Sequence, residues 1–135
     1  MQEFIDQANH NEELHTILCE KFPGHFFDWK VTVLFYCAVH YLKALAAKRG
    51  IKIGKTHVEI AQNCRWDAKG ENAMPLTKTA FNNYKALRSY AETARYDGML
   101  CAPDEFEVDR KKDYDHSLQL LGNFKAYVKD QGLTI

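Results

Sequence analysis

The chain has 135 residues, 46% hydrophobic and 27% charged, which suits a protein with its own core and excludes a disordered tail. Its net charge is zero, which argues against a bulk polyanion binder. The longest apolar run, near Val31–Leu42, contains Thr32 and His40 and is too short to span a membrane. Met1–Gln7 carries acids rather than a basic, apolar leader, so a cytoplasmic protein is expected.

Read in chain order, the sequence is a series of helices. Phe4, Ile5, Ala8, Leu14, Ile17 and Leu18 recur at helical intervals over Gln2–Glu20, before the break at Pro23-Gly24. From Phe26 to Arg49 there is neither proline nor glycine, and Gly50 supplies a stop. This second helix is apolar around most of its circumference and should lie at the centre, with Trp29, Leu34, Phe35, Val39 and Leu42 largely buried. One face differs. Asp28, Thr32, Tyr36, His40 and Lys43 fall within an arc of about 120°. Such a polar stripe must meet water, a polar partner or a site.

Thr56-His57-Val58-Glu59 has the form of a capping box, with the Glu59 carboxylate reaching back to Thr56, and opens a short helix ending near Asn63. Arg65–Pro75 reads as a flexible loop. A further long helix is expected over Leu76–Tyr96. Its Ala80, Tyr84, Leu87, Ala91 and Ala94 form a narrow, alanine-rich seam that requires a closely packed neighbour. That neighbour is supplied in part within the bundle and in part by a second copy, so a homodimer through a two-fold interface is expected. Beside it, Lys78, Lys85, Arg88, Glu92 and Arg95 make a second, mostly basic stripe. An acidic loop carrying Asp97, Asp104, Glu105, Glu107 and Asp109 leads to a last helix, Asp109–Asp130, with Tyr114, Leu118, Leu121, Phe124 and Val128 directed to the core. Strand signals are nearly absent.

Charge is unevenly placed. Residues 41–95 hold eleven bases and four acids, whereas the flanking segments are net acidic. A basic middle either attracts anions or is cancelled when the ends fold over it. Cys19, Cys37, Cys64 and Cys101 are scattered, without a zinc or dithiol spacing, and no Gly-rich phosphate loop occurs, so neither metal nor cofactor is expected.

The run from Phe27 to Leu45, ending Leu42-Lys43-Ala44-Leu45, resembles the central helix of HEPN domains. Gly50, Thr56-His57 and the later Tyr90 with Arg95-Tyr96 resemble that family's succeeding landmarks, in order, over most of the chain. The resemblance implies an all-α, four-to-five-helix bundle in one domain. It implies a protein that forms a homodimer and associates with RNA or nucleotide. It also implies a place in a prokaryotic defence or toxin–antitoxin system, beside a nucleotidyltransferase-type or antitoxin-type protein partner.

Many members of the family are metal-independent ribonucleases with an Arg-x(4–6)-His motif facing its copy across the dimer. There the histidine moves the proton of the attacking 2′-hydroxyl and the arginine holds the scissile phosphate. Here Arg88 and Arg95 stand where the motif is expected, and no histidine follows in range. The literal match is Arg110 with His116, an alternative pair at the start of the last helix. The candidate catalytic residues are therefore His40, His57 and Arg95, with Lys85, Arg88, Arg95 and Tyr96 as candidate phosphate-binding residues. Each has a structural alternative: His57 fixing its turn, His40 sitting as a satisfied half-buried ring, Arg95 and Tyr96 closing their helix. The rival functional class is a non-catalytic adaptor that docks a protein partner.

Overall fold

Glycine and proline breaks between apolar runs determine where the helices begin and end. In the computed structural model, residues 1–96 and 103–135 are described, with side chains at 1–95 and 108–135. Among these residues there are five helices and no strand: α1 (Gln2–Lys21), α2 (Phe27–Lys48), α3 (His57–Cys64), α4 (Lys78–Tyr96) and α5 (Pro103–Asp130). The all-α expectation holds.

The central position of α2 follows from its composition. It packs against α1, α4 and α5, and Val31, Leu34, Phe35, Ala38, Leu42 and Leu45 are buried on it. It is long and apolar enough to cross a membrane by length and composition, contrary to the sequence expectation, but 72% of that stretch is buried inside the protein. Phe35 meets Tyr84 of α4, which in turn meets Phe124 of α5, at ring separations of 5.8 and 5.9 Å.

Polar side chains fix how the outer helices sit on α2. Lys30, only 1% exposed, donates from Nζ to the Phe22 carbonyl at 2.6 Å, beside the Phe27 ring. A cation placed at the C-terminal end of α1 complements its helix dipole, which makes a buried lysine tolerable. Tyr41 of α2 donates to the Glu12 carboxylate of α1, which also accepts from Lys125 of α5 at 2.7 Å. Those three helices are thereby joined at one carboxylate.

Several boundaries and faces differ from expectation. The Arg65–Pro75 segment is pinned, because Met74 and Leu76 N–H donate to the Asn63 and Cys64 carbonyls and both side chains are buried. Helix α4 starts two residues late, where the Thr77 hydroxyl accepts from the Ala80 N–H. The acidic segment from residue 103 onward is helical rather than a loop. Proline suits the first helical position, and acids suit the first turns. Asp97 lies outside the described residues. The Thr56 cap forms as expected, but the Glu59 carboxylate accepts from Lys55 N–H instead of Thr56. The close approach at Gly54 (φ 115°) explains this: a Cβ there would lie 2.5 Å from Glu59 Cβ.

Trp29 and Leu118 are not in the core; they are 58% and 41% exposed. Trp29 lies seven residues before Tyr36, two helical turns, and so shares the polar stripe's side of α2. Leu118 flanks the buried Tyr114–Leu121 line of α5 instead of lying on it, and Leu14 and Ile17 face outward on α1. The alanine-rich seam of α4 is fully consumed within the chain, covered by α2 and α5, so it leaves no surplus apolar surface for association.

These placements give opposite expectations for two aromatic residues of one helix. Phe35→Ala should destabilise by ~3–5 kcal/mol in urea unfolding, from lost burial and a residual cavity. Trp29→Ala should cost about 0.5 kcal/mol or less, as exposed substitutions do. Equal effects of the two variants would contradict the assigned orientation of α2.

Candidate functional site

The polar stripe of α2 is the part of the central helix that the other helices leave accessible. Asp28, Tyr36, His40 and Lys43 are half-buried and Thr32 is buried, its hydroxyl donating to the Asp28 carbonyl. Along one edge lies α4. A cleft of about 280 Å³ is lined by Asp28, Trp29 and Thr32 from α2 and Ala94 and Arg95 from α4. The start of α3 completes the surface, with the His57 ring 5.3 Å from Phe35 and 6.1 Å from Tyr36.

His57 is where the two stripes meet. Burial lowers its pKa first, and the positive charges of Arg88, Arg95 and Lys43 lower it further, opposed by Glu92. Its place in the first turn of α3, at the positive end of the helix dipole, acts in the same sense. The imidazole is therefore neutral near neutral pH and can accept a proton. Its Nδ1 is buried and has no hydrogen-bond partner among the described residues. Arg88 is bound twice, donating from Nε to Glu92 at 3.0 Å and from Nη1 to the His57 carbonyl at 3.5 Å. At His57 the three cations outweigh Glu92, while Asp28 lines the cleft beside Arg95.

The other candidates fall into place unevenly. His40 Nδ1 donates to the Tyr36 carbonyl at 2.8 Å, which fixes the ring on the stripe and leaves Nε2 as the proton-accepting nitrogen of the neutral form. Lys85 is exposed, with Nζ 5.9 Å from the Phe81 ring, and no contact joins it to His57. The Tyr96 side chain lies outside the described residues. Arg110 and His116 make no hydrogen bond to each other, although both act electrostatically on Asp113. Arg110 is 7% exposed and ion-paired with Asp113 at 3.0 Å, whereas His116 is exposed and within 2.6 Å of the Tyr90 hydroxyl. Six residues along a helix is about 240° of rotation, so the two side chains point different ways. Two members of the groove went unread in the sequence. Lys43 was seen as part of a stripe but not as a neighbour of His57, and Trp29 was assigned to the core. Its seven-residue spacing from Tyr36 was the available signal. No group of three or more acids, histidines or cysteines able to hold a metal occurs among the described residues.

A family model for the HEPN domain matches residues 1–131, nearly the whole chain. The protein belongs to the HEPN family, and membership associates it with nucleotide- and RNA-related function. In the same comparisons, no curated protein and no solved structure matches it.

The electrostatics of His57 are directly measurable. Its NMR titration midpoint should lie below the ordinary value of 6.5, and Arg88→Ala should raise it. Because the folded pKa is depressed, the stability gained by keeping the ring neutral is present above about pH 6.5. It is lost as the pH falls from there through the folded midpoint. A midpoint at or above 6.5 in the unaltered protein would contradict the cationic setting.

Proposed function

We propose that the α2–α3–α4 groove binds RNA or a nucleotide through its phosphate, in a cytoplasmic homodimer of a prokaryotic defence or toxin–antitoxin system. The observation that carries this reading is a neutral His57 set among Arg88, Arg95 and Lys43, with Arg95 also lining a cleft beside the exposed Trp29. The cations neutralise phosphate oxygens, and an exposed indole next to a phosphate site is a platform on which a base stacks.

The same groove supports metal-independent cleavage. His57 accepts the 2′-hydroxyl proton as that oxygen attacks phosphorus, Arg88 and Arg95 hold the non-bridging oxygens, and the bond to the 5′-oxygen breaks. His40, with Nδ1–H fixed on a carbonyl, is the candidate second proton carrier. HEPN domains commonly dimerise. A two-fold arrangement that pairs two such grooves would place like charges together, which an intervening anion relieves.

A second reading has its own support. No histidine follows Arg88 or Arg95 within α4, and Arg110 pairs with Asp113 while His116 meets the Tyr90 hydroxyl. These features suit a non-catalytic adaptor whose groove docks a nucleotidyltransferase-type or antitoxin-type protein.

Fluorescence anisotropy with a labelled single-stranded RNA tests the binding. Arg88→Glu and Arg95→Glu should each weaken it by about tenfold or more, and Trp29→Ala by ~1–3 kcal/mol, with folding retained. Incubation of labelled transfer RNA with a chelator separates the two classes. Cleavage that persists with chelator and is abolished in His57→Gln supports the nuclease; intact RNA at high protein concentration leaves the adaptor. A monomer by sedimentation at tens of micromolar, unshifted by RNA, would remove the RNA-binding dimer.

A further inference from the structure

A second concavity lies at the other end of α2, and of its residues the reading above uses only Lys43. It is an open depression of about 720 Å³ between the N-terminal part of α1, the end of α2 and the Gly50–Lys55 turn. That volume is within the range of small-molecule sites, roughly 300–1,000 Å³. Its walls are mainly apolar: Phe4, Ala46, Ile51 and Ile53 line it. Its rim is basic. Lys43, Lys52 and Lys55 all border it, and none makes an ion pair among the described residues. The one carboxylate on the wall, Glu59, accepts the backbone N–H of Lys55 and is held against the turn by the close approach of Gly54. The turn is a fixed wall for the same reason, since Gly54 has a positive φ and no room for a side chain.

An apolar depression bordered by lysines selects for a molecule of matching polarity. A fully polar anion gains nothing from the walls, and an uncharged apolar molecule leaves the lysines unused. We infer that this depression binds a compact amphipathic anion, its apolar body against Ile51 and Ile53 and its acidic group on Lys43, Lys52 and Lys55. Lys43 also belongs to the cations around His57. An anion seated on Lys43 withdraws part of the positive charge on which the RNA groove depends, so the two ligands compete. That competition rests on the groove reading; occupancy of the depression does not.

Two sources share the chemistry, a nucleoside monophosphate with a planar base and an aliphatic carboxylate. They are separated by titrating the full chain with N-methylanthraniloyl-AMP and with the fluorescent fatty acid cis-parinaric acid, using inorganic phosphate as competitor. Saturable binding of one of them identifies the source, and phosphate alone should displace it poorly. Ala47→Trp, at an exposed position on the wall of the depression, should weaken that binding by about tenfold, as should Lys52→Glu combined with Lys55→Glu. Circular dichroism confirms that each variant is folded. Arg88→Glu should leave the probe's affinity unchanged while reducing that for RNA, and Lys43→Glu should reduce both. Failure of both probes to saturate, or affinity unaffected by Ala47→Trp and by the lysine reversals, overturns the inference. Probe binding that persists when RNA fails to bind would instead remove the groove reading and keep the site in the depression.

Discussion

The structure depends on burying one helix that is apolar on nearly every side. Helix α2 cannot be stable in water by itself, and the hydrophobic effect requires neighbours around most of its circumference. Helices α1, α4 and α5 provide them, and the buried residues of all five helices form a continuous cluster. The polar stripe is the part of α2 that cannot be covered this way, because burying Asp28, His40 and Lys43 against apolar side chains would leave charges and dipoles unsatisfied. The groove is therefore a consequence of the core: where the central helix turns polar, the bundle has to stay open.

Electrostatics then gives the opening its character. Three cations from two helices surround a histidine at the start of a third, with Glu92 as the opposing acid. Glu92 is paired with Arg88 along α4 at a half-exposed position, where such pairs contribute only ~0.3–0.5 kcal/mol. A phosphate that offers several charged oxygens can outcompete so weak a partner. Elsewhere the polar groups serve architecture. Lys30 on the Phe22 carbonyl and Glu12 shared by Tyr41 and Lys125 orient helices, each polar group finding its partner on a neighbouring segment.

The fate of the α4 seam shows how association has to be argued. Its alanines do require a close neighbour, but α2 and α5 supply it within the chain. The exposed apolar residues lie elsewhere, among them Leu14 and Ile17 on α1, Trp29 on the groove and Leu118 on α5. Trp29 adjoins Arg95 across the cleft between α2 and α4, next to the surface proposed to bind RNA.

Periodicity and punctuation in the sequence determined the helices, the central place of α2, the Thr56 cap and both polar stripes, because these are local properties set by 3.6-residue spacing and by glycine and proline. The order of landmarks from Phe27 to Tyr96 likewise led to the HEPN family. Spacing along one helix says nothing about which neighbour covers which arc, so the sequence left Trp29 and Leu118 on the wrong side and the α4 seam without a partner. For the same reason it named Arg88, Arg95, His40 and His57 as candidates without showing which of them meet. The gathering of Arg88, Arg95 and Lys43 around His57 and the pairing of Arg110 with Asp113 were decided by packing. Residues that lie tens of positions apart share one electrostatic environment only when the hydrophobic core fixes the rotation of each helix about its axis.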